Sequence, residues 1–216
     1  SANVITADAR IDNREELFTK LKITDHTVPD SMIILATYDK YGKNCIDHLI
    51  GDFAFAIWDK HKEELFCARD HMGVKPLYYY YDGACFIWAS EMKGLLCLDI
   101  VSTELDSTYV TDVICSGSHK PPTTPYKNIK KLEPSSYIVI NKSDFKVSVY
   151  WDLDVNKEIT LKHSEYIEQF DFLLNQAVER RMRTAYPIGA QLSGGLDSSA
   201  IVALLSEKIK HTKQNL

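Results

Sequence analysis

Residues 52–59 read DFAFAIWD. Phe53, Phe55 and Ile57 fall on one face of a strand, and Ala54, Ala56 and Trp58 on the other. Both faces are apolar, so the strand has to be covered on both sides. The flanking sequence offers the covers. Residues 1–7 predict a strand. Asn13 with Glu16 three residues on makes a capping-box pattern that heads a helix over residues 14–21. Pro29 and Asp30 open a second helix, striped by Met32, Ile33, Leu35, Ala36 and Tyr38 and stopped by Gly42. Further strands are expected at 64–68, 77–81 and 85–89, joined by turns at 70–73 and 82–83. Doubly apolar strands beside amphipathic helices predict a layered α/β sandwich.

Beyond it, KPPTTP at 120–125 predicts an extended surface loop, and 137–140 with 147–151 a late hairpin. The pattern fades over 152–160, which places a first domain at 1–152, a linker at 153–163 and a second domain at 164–216. Ser164 is expected to cap a helix carrying Tyr166, Ile167, Phe170, Leu173, Leu174, Ala177 and Val178 at helical spacing. Residues 186–192 predict a short strand that feeds LSGGLDSSAIVALL, residues 192–205.

The totals exclude several classes. Of the 216 residues 45% are hydrophobic and 25% charged, the profile of a water-soluble globular chain. A net charge of −5 with no basic stripe argues against nucleic acid or an anionic membrane as partner. No apolar run spans a bilayer, and no secretory pattern stands at the start. The five cysteines (Cys45, Cys67, Cys85, Cys97 and Cys115) form no CxxC pair, and the seven histidines no HxxxH. A reducing, cytoplasmic setting is expected.

The SGGLDSS stretch reads as a strand end, a glycine turn and a helix start, an arrangement that holds phosphate. Gly194 and Gly195 allow successive N–H groups to converge on an anion. Ser193, Ser198 and Ser199 add hydroxyls, and the helix start adds its positive end. Asp197 would repel phosphate unless it holds Mg²⁺, which bridges to phosphate oxygens. No lysine follows the glycines, so this is not the GxxxxGK[ST] loop. Hydroxyls, amides and one metal carboxylate suit a departing pyrophosphate, and so adenylation of a carboxylate. The alternative is a plain glycine turn with a serine-capped helix.

SGGLDSS resembles the signature of the ATP-pyrophosphatase (PP-loop) enzymes. ADARIDNREEL, LIGDFAFAIWD, ARDHMGVKPLYY and WASEMKGLL resemble the N-terminal half of the glutamine-hydrolysing asparagine synthase family. The resemblance runs from about Ala7 to the C-terminus. It implies an α+β fold: a four-layer αββα Ntn-hydrolase-like sandwich, here incomplete, then the first part of an α/β PP-loop domain. It implies a glutaminase that releases ammonia and a synthetase that uses ATP and Mg²⁺ to adenylate aspartate for attack by ammonia. Pyrophosphate would be cradled by Ser193, Gly194, Gly195, Leu196, Asp197, Ser198 and Ser199, with the metal on Asp197. The partners implied are small molecules (ATP, aspartate, glutamine or ammonia), with a homodimer allowed.

The sequence departs from the family in places. Family glutaminase domains begin with a catalytic cysteine whose α-amine is the base, and no cysteine stands near the start. Ser1 immediately precedes a strand that in the family lies well after the nucleophile. The front of the domain is therefore expected to be absent, and no catalytic residue is assigned. At Asp8–Ala9 the family places an Asn–Gly pair whose amide donates to the oxyanion, a donor worth about a hundred- to a thousandfold in rate. Asp30 matches the aspartate that holds the glutamine α-amine, with Met32 where an acid is usual.

Other residues have plainer readings. Arg69, Asp70, Gly73 and Pro76 read as an ion pair, a left-handed turn and a rigid strand entry. Tyr78 to Tyr81 read as alternating core positions, Cys67 and Cys115 as buried small hydrophobes, and Glu179, Arg180, Arg181 and Arg183 as a solvated helix end. Three functions stay open: an asparagine synthase-type amide ligase, a peptide or β-lactam ring-forming relative with an inactive glutaminase domain, or a non-catalytic fragment.

Overall fold

The computed structural model describes residues 2–117 and 122–210, so Ser1 lies outside the described residues. Two compact units divide the chain, Ser1–Leu153 and Asp154–Leu216.

The first unit runs β1 (Val4–Ile11), α1 (Arg14–Leu21), α2 (Asp30–Tyr41), a 3-10 segment (Gly42–His48), β2 (Gly51–Asp59), β3 (Glu64–Arg69), β4 (Tyr78–Tyr81), β5 (Phe86–Ala89), α3 (Met92–Leu96), α4 (Ser107–Ser116), β6 (Ile129–Lys131), β7 (Ser136–Ile140) and β8 (Phe145–Val149). The strands make two antiparallel sheets, ordered β1-β2-β3-β7-β8 and β5-β4-β6.

Strand β2 explains the layering. Its large residues Phe53, Phe55 and Ile57 pack with Leu17 of α1 and Ile33 and Ile34 of α2. Its small residues Ala54 and Ala56 face the second sheet, and Leu77, Tyr79 and Leu132 fill the space between the sheets together with Ile138 of β7. The second sheet turns Tyr80 and Ile129 outward onto Leu95 of α3. The layers are therefore helix, sheet, sheet, helix. Bulky side chains meet helices, and alanines let two sheets approach closely. The tyrosine run alternates as expected, with Tyr79 and Tyr81 between the sheets and Tyr78 and Tyr80 toward α3.

Several local expectations are corrected. The Asn13 side chain makes no cap bond to α1. It is buried, accepts from the Ile50 N–H at 3.0 Å and donates to the His48 carbonyl at 2.9 Å, tying the helix start to the chain before β2. Met32 lies on the exposed side of α2, whose buried residues include Ile34 and Thr37 instead. Helices α3 and α4 and strand β6 arise where no element was read. In the stretch 120–125, Lys120 and Pro121 lie outside the described residues, while Thr124 is buried and its hydroxyl donates to the Ile129 carbonyl at 2.7 Å. Cys67 is buried, but Cys115 is exposed.

The second unit contains α5 (His163–Arg181) and α6 (Leu196–Ile209). Lys162, not Ser164, takes the position before α5, and its backbone N–H donates to the Glu165 carboxylate at 2.8 Å. The helices share a small core of Val178, Met182, Leu205 and Ile209. Residues 186–192 pair with no strand, a correction to the sequence reading, because the described part of this unit holds no other strand to complete a ladder. Tyr166, Ile167, Phe170 and Leu173 of the α5 stripe are exposed.

Gly73 turns the chain with φ +65°, and a Cβ there would stand 2.8 Å from Pro134 and 2.9 Å from the Arg69 guanidinium. Gly83 also has positive φ, +95°, but open space around it. Gly73→Ala is expected to cost about 2–4 kcal/mol, joining backbone strain to overpacking. Gly83→Ala should cost about 1 kcal/mol from the backbone alone. Urea denaturation of the two variants checks the difference.

Candidate functional site

In the first unit the polar chemistry gathers where β1 meets the gap between the sheets. Asp8 lies opposite Ala54 in the β1–β2 ladder. Its neighbours Ala7 and Ala9 pack on the helix-side core. By strand alternation Asp8 is presented to the gap between the sheets. There a cleft of about 120 Å³ is lined by Thr6, Asp8, Ala54, Pro76, Trp88 and Ser90, among others. Lys75 Nζ stands 2.7 Å from Asp8 Oδ1.

The segment after β3 sets Lys75 in place. Asp70 accepts backbone N–H bonds from Phe53 at 3.3 Å, Met72 at 3.1 Å, Val74 at 2.9 Å and Lys75 at 2.9 Å. Arg69 donates to the carbonyls of Lys75 at 2.7 Å, Leu132 at 2.5 Å and Gly73. The sequence predicts an ion pair between the two side chains. In the structure the guanidinium is spent on three carbonyls and the carboxylate on four amides. Burial lowers the Arg69 pKa from its usual value, opposed by the nearby Asp70 charge. Burial likewise pushes the His71 imidazole below its usual value, where its ring meets Tyr150 and Trp151 edge-on at 5.2 and 5.3 Å.

Of the three residues proposed to contact glutamine, only Asp8 points its side chain toward the cleft. Ala9 belongs to the opposite face of β1. Asp30 begins α2, accepts the Ile11 N–H at 2.8 Å and pairs with the Arg14 guanidinium. It therefore knots α1 and α2 to the end of β1. The buried thiols are unsuited to nucleophilic work: burial pushes Cys45 up to about 12 and raises Cys67 further.

In the second unit the SGGLDSS residues come together at the start of α6. Gly194 has φ +82°, and Gly195 occupies the position before the helix. The helical ladder begins with the Ser199 N–H on the Gly195 carbonyl at 3.1 Å. The amides of Leu196, Asp197 and Ser198 precede that bond and have no helical partner. The hydroxyls form a local cluster. Ser198 Oγ lies 2.9 Å from Ser193 Oγ and receives the Ser193 N–H at 3.3 Å, and Ser199 Oγ donates to the Gly195 carbonyl at 2.8 Å. Glu179 meets Lys208 at 3.5 Å.

The model of a glutamine amidotransferase domain matches residues 1–151, and that of asparagine synthase residues 169–214. The chain belongs to the glutamine amidotransferase domain family. It is 38% identical over 208 residues to the putative glutamine-hydrolysing asparagine synthetase 2 of Methanocaldococcus jannaschii, across 94% of this chain and 40% of that protein. It is 34% identical over 196 residues to the glutamine-hydrolysing asparagine synthetase 3 of Bacillus subtilis, across 89% of this chain and 32% of that protein. Among solved structures, the glutamine phosphoribosylpyrophosphate amidotransferase of B. subtilis aligns over 68% of this chain and 29% of its own, at 18% identity and a TM-score of 0.45. The chain thus spans 40% or less of these two curated relatives. Among the described residues no helix is long and apolar enough to cross a membrane.

Sequence reasoning passed over two cleft residues of this amidotransferase domain, Trp88 and Ser90, and the lysine paired with a third, Lys75 on Asp8. Lys75 sat unremarked between Gly73 and Pro76, and Trp88 and Ser90 were quoted only within WASEMKGLL. The available signal was the lysine at a fixed strand entry, one step before proline. Asp70 accepts two N–H bonds on each oxygen, so Asp70→Asn leaves two of the four donors without an acceptor. It is expected to cost about 2–3 kcal/mol in urea denaturation and to broaden the Lys75 amide resonance in an NMR spectrum.

Proposed function

We propose that the chain is the amidotransferase part and the first synthetase part of an ATP-dependent amide ligase of the asparagine synthase type. The first unit handles glutamine, and the SGGLDSS loop holds the pyrophosphate that leaves when aspartate is adenylated. The observation that carries the reading is the set of amides at Leu196, Asp197 and Ser198, left open by the helix and headed by the positive φ of Gly194. A helix start of this form attracts phosphate through N–H groups and dipole together. The asparagine synthase match over 169–214 supports it.

The residues also fit a Mg²⁺ ion of the kind ATP brings. Among the described residues no group of three or more His, Cys, Asp or Glu gathers to hold a metal. Mg²⁺ needs no such cage, because one or two carboxylates suffice when phosphates and water complete its octahedron. Asp197, in the first turn of α6, would supply that carboxylate. When bound, the ion would neutralise charge on the departing diphosphate. The chain's own groups orient it: Ser193, Ser198 and Ser199 turn hydroxyls to the oxygens, and the open amides bind the rest.

A ring-forming relative that uses an internal amine is the second reading. Asp8, where the family has an amide donor, favours it. Dependence of product formation on glutamine separates the two. For the first reading, the complete protein with Mg-ATP, aspartate and ammonia should release AMP and pyrophosphate. Asp197→Asn should slow that release by about a hundredfold. Unchanged release from Asp197→Asn would remove the loop from the chemistry.

A further inference from the structure

A carboxylate at position 8 has no N–H to offer, which by sequence alone makes it a defect in a site for an amide. The structure sets a donor beside it. Lys75 Nζ lies 2.7 Å from Asp8 Oδ1, at the edge of the cleft that Asp8 lines. An ammonium has three N–H groups and a carboxylate two oxygens, so one mutual bond leaves both with capacity to spare. The Lys75 backbone is held on both sides, its N–H by Asp70 at 2.9 Å and its carbonyl by Arg69 at 2.7 Å. The side chain therefore starts from a fixed point.

Donor and acceptor side by side match one functional group in particular. A primary carboxamide presents an oxygen that accepts and N–H groups that donate, a short distance apart. A carboxylate presents acceptors alone, one of which would face Asp8 with like charge. We propose that Lys75 and Asp8 read a carboxamide in this cleft, Lys75 donating to the amide oxygen and Asp8 accepting from the amide nitrogen. The inference rests on the reading that the first unit handles glutamine, and adds Lys75 to its site as a specificity-determining residue. Ala54, Pro76, Leu77 and Trp88 give part of the cleft an apolar wall for an aliphatic stem, beside the polar Thr6, Asp8 and Ser90. Its volume of about 120 Å³ is a little below the roughly 150 Å³ of a cavity that accepts benzene. A short amide is the size of ligand it takes.

The test is an NMR titration of the 216-residue chain with propanamide, propanoate and L-glutamine. Propanamide should give saturable shifts at the Trp88 indole and the Ser90 amide in the millimolar range, with propanoate at least about tenfold weaker. Lys75→Met should weaken propanamide by about tenfold, because the amide oxygen loses a charged donor. Lys75→Arg should retain binding. Asp8→Asn should bring the amide and the acid to within about threefold. Signal dispersion confirms that each variant is folded. Equal binding of amide and acid by the unaltered chain, or propanamide binding untouched by Lys75→Met, overturns the pairing. If glutamine still shifts the cleft in that case, the glutamine reading stands and only the role of Lys75 falls. If neither amide shifts it, both fall.

Discussion

A buried guanidinium and the carboxylate next to it in sequence hold the first unit in register. Arg69 ends β3, and its side chain reaches the carbonyls of Gly73, Lys75 and Leu132. Asp70 gathers the amides of Phe53, Met72, Val74 and Lys75. The Tyr150 hydroxyl closes the knot by donating to the Arg69 carbonyl at 2.8 Å. These bonds link both sheets and the segment between them. A buried charge is tolerated only when its hydrogen-bonding capacity is met, and here each charge is met by backbone instead of by the other. The consequence is geometric. The path from β3 to β4 is fixed residue by residue, and Lys75 emerges from it at the mouth of the inter-sheet cleft.

The layered core was legible because periodicity and side-chain size both carried it. Phe53, Phe55 and Ile57 on one face and Ala54 and Ala56 on the other state which side meets helices and which side meets a sheet. The tyrosine run likewise announced a strand buried on both faces. Illegible features depended on partners distant in sequence. Asn13 looked like a helix cap because Glu16 follows at the right spacing, yet its amide is used by His48 and Ile50, which no local pattern reveals. Helix α4 is an exception, since its signals are local: Asp106 accepts from the Thr108 and Tyr109 N–H groups at its start and Gly117 ends it. Strand β6 is only three residues long, too short to show a period. At the site, Asp8 was visible as a departure from the family, but its partner Lys75 lies 67 positions along the chain (75 − 8) and only the fold brings them together.

The second unit was read less well, for a physical reason. Two helices share one line of contact, and here it is filled by Val178, Met182, Leu205 and Ile209. The apolar stripe of α5 is real as a sequence pattern, but Tyr166, Ile167, Phe170 and Leu173 find no cover among the described residues of that unit. Residues 186–192 have strand-like composition and no strand beside them. A lone strand leaves its backbone groups to water and has no ladder to form. Propensity proposes an element; a neighbour decides it.

The polar groups of the two candidate sites differ from the Arg69–Asp70 knot in how readily a ligand can displace their internal bonds. Asp8 and Lys75 are half-exposed, and a pair of that kind contributes about 0–1 kcal/mol to stability. A ligand that replaces one bond with two loses little by entering. The Gly195 carbonyl accepts from Ser198 Oγ at 3.2 Å, Ser199 Oγ at 2.8 Å and the Ser199 N–H at 3.1 Å, one more contact than its two lone pairs require. A hydroxyl can rotate from that carbonyl to an incoming oxyanion while the Ser199 N–H keeps the carbonyl satisfied. Arg69 and Asp70 have no such freedom, since any departure strands a buried charge. Fixed bonds build the frame, and exchangeable ones stand where a ligand can take them over.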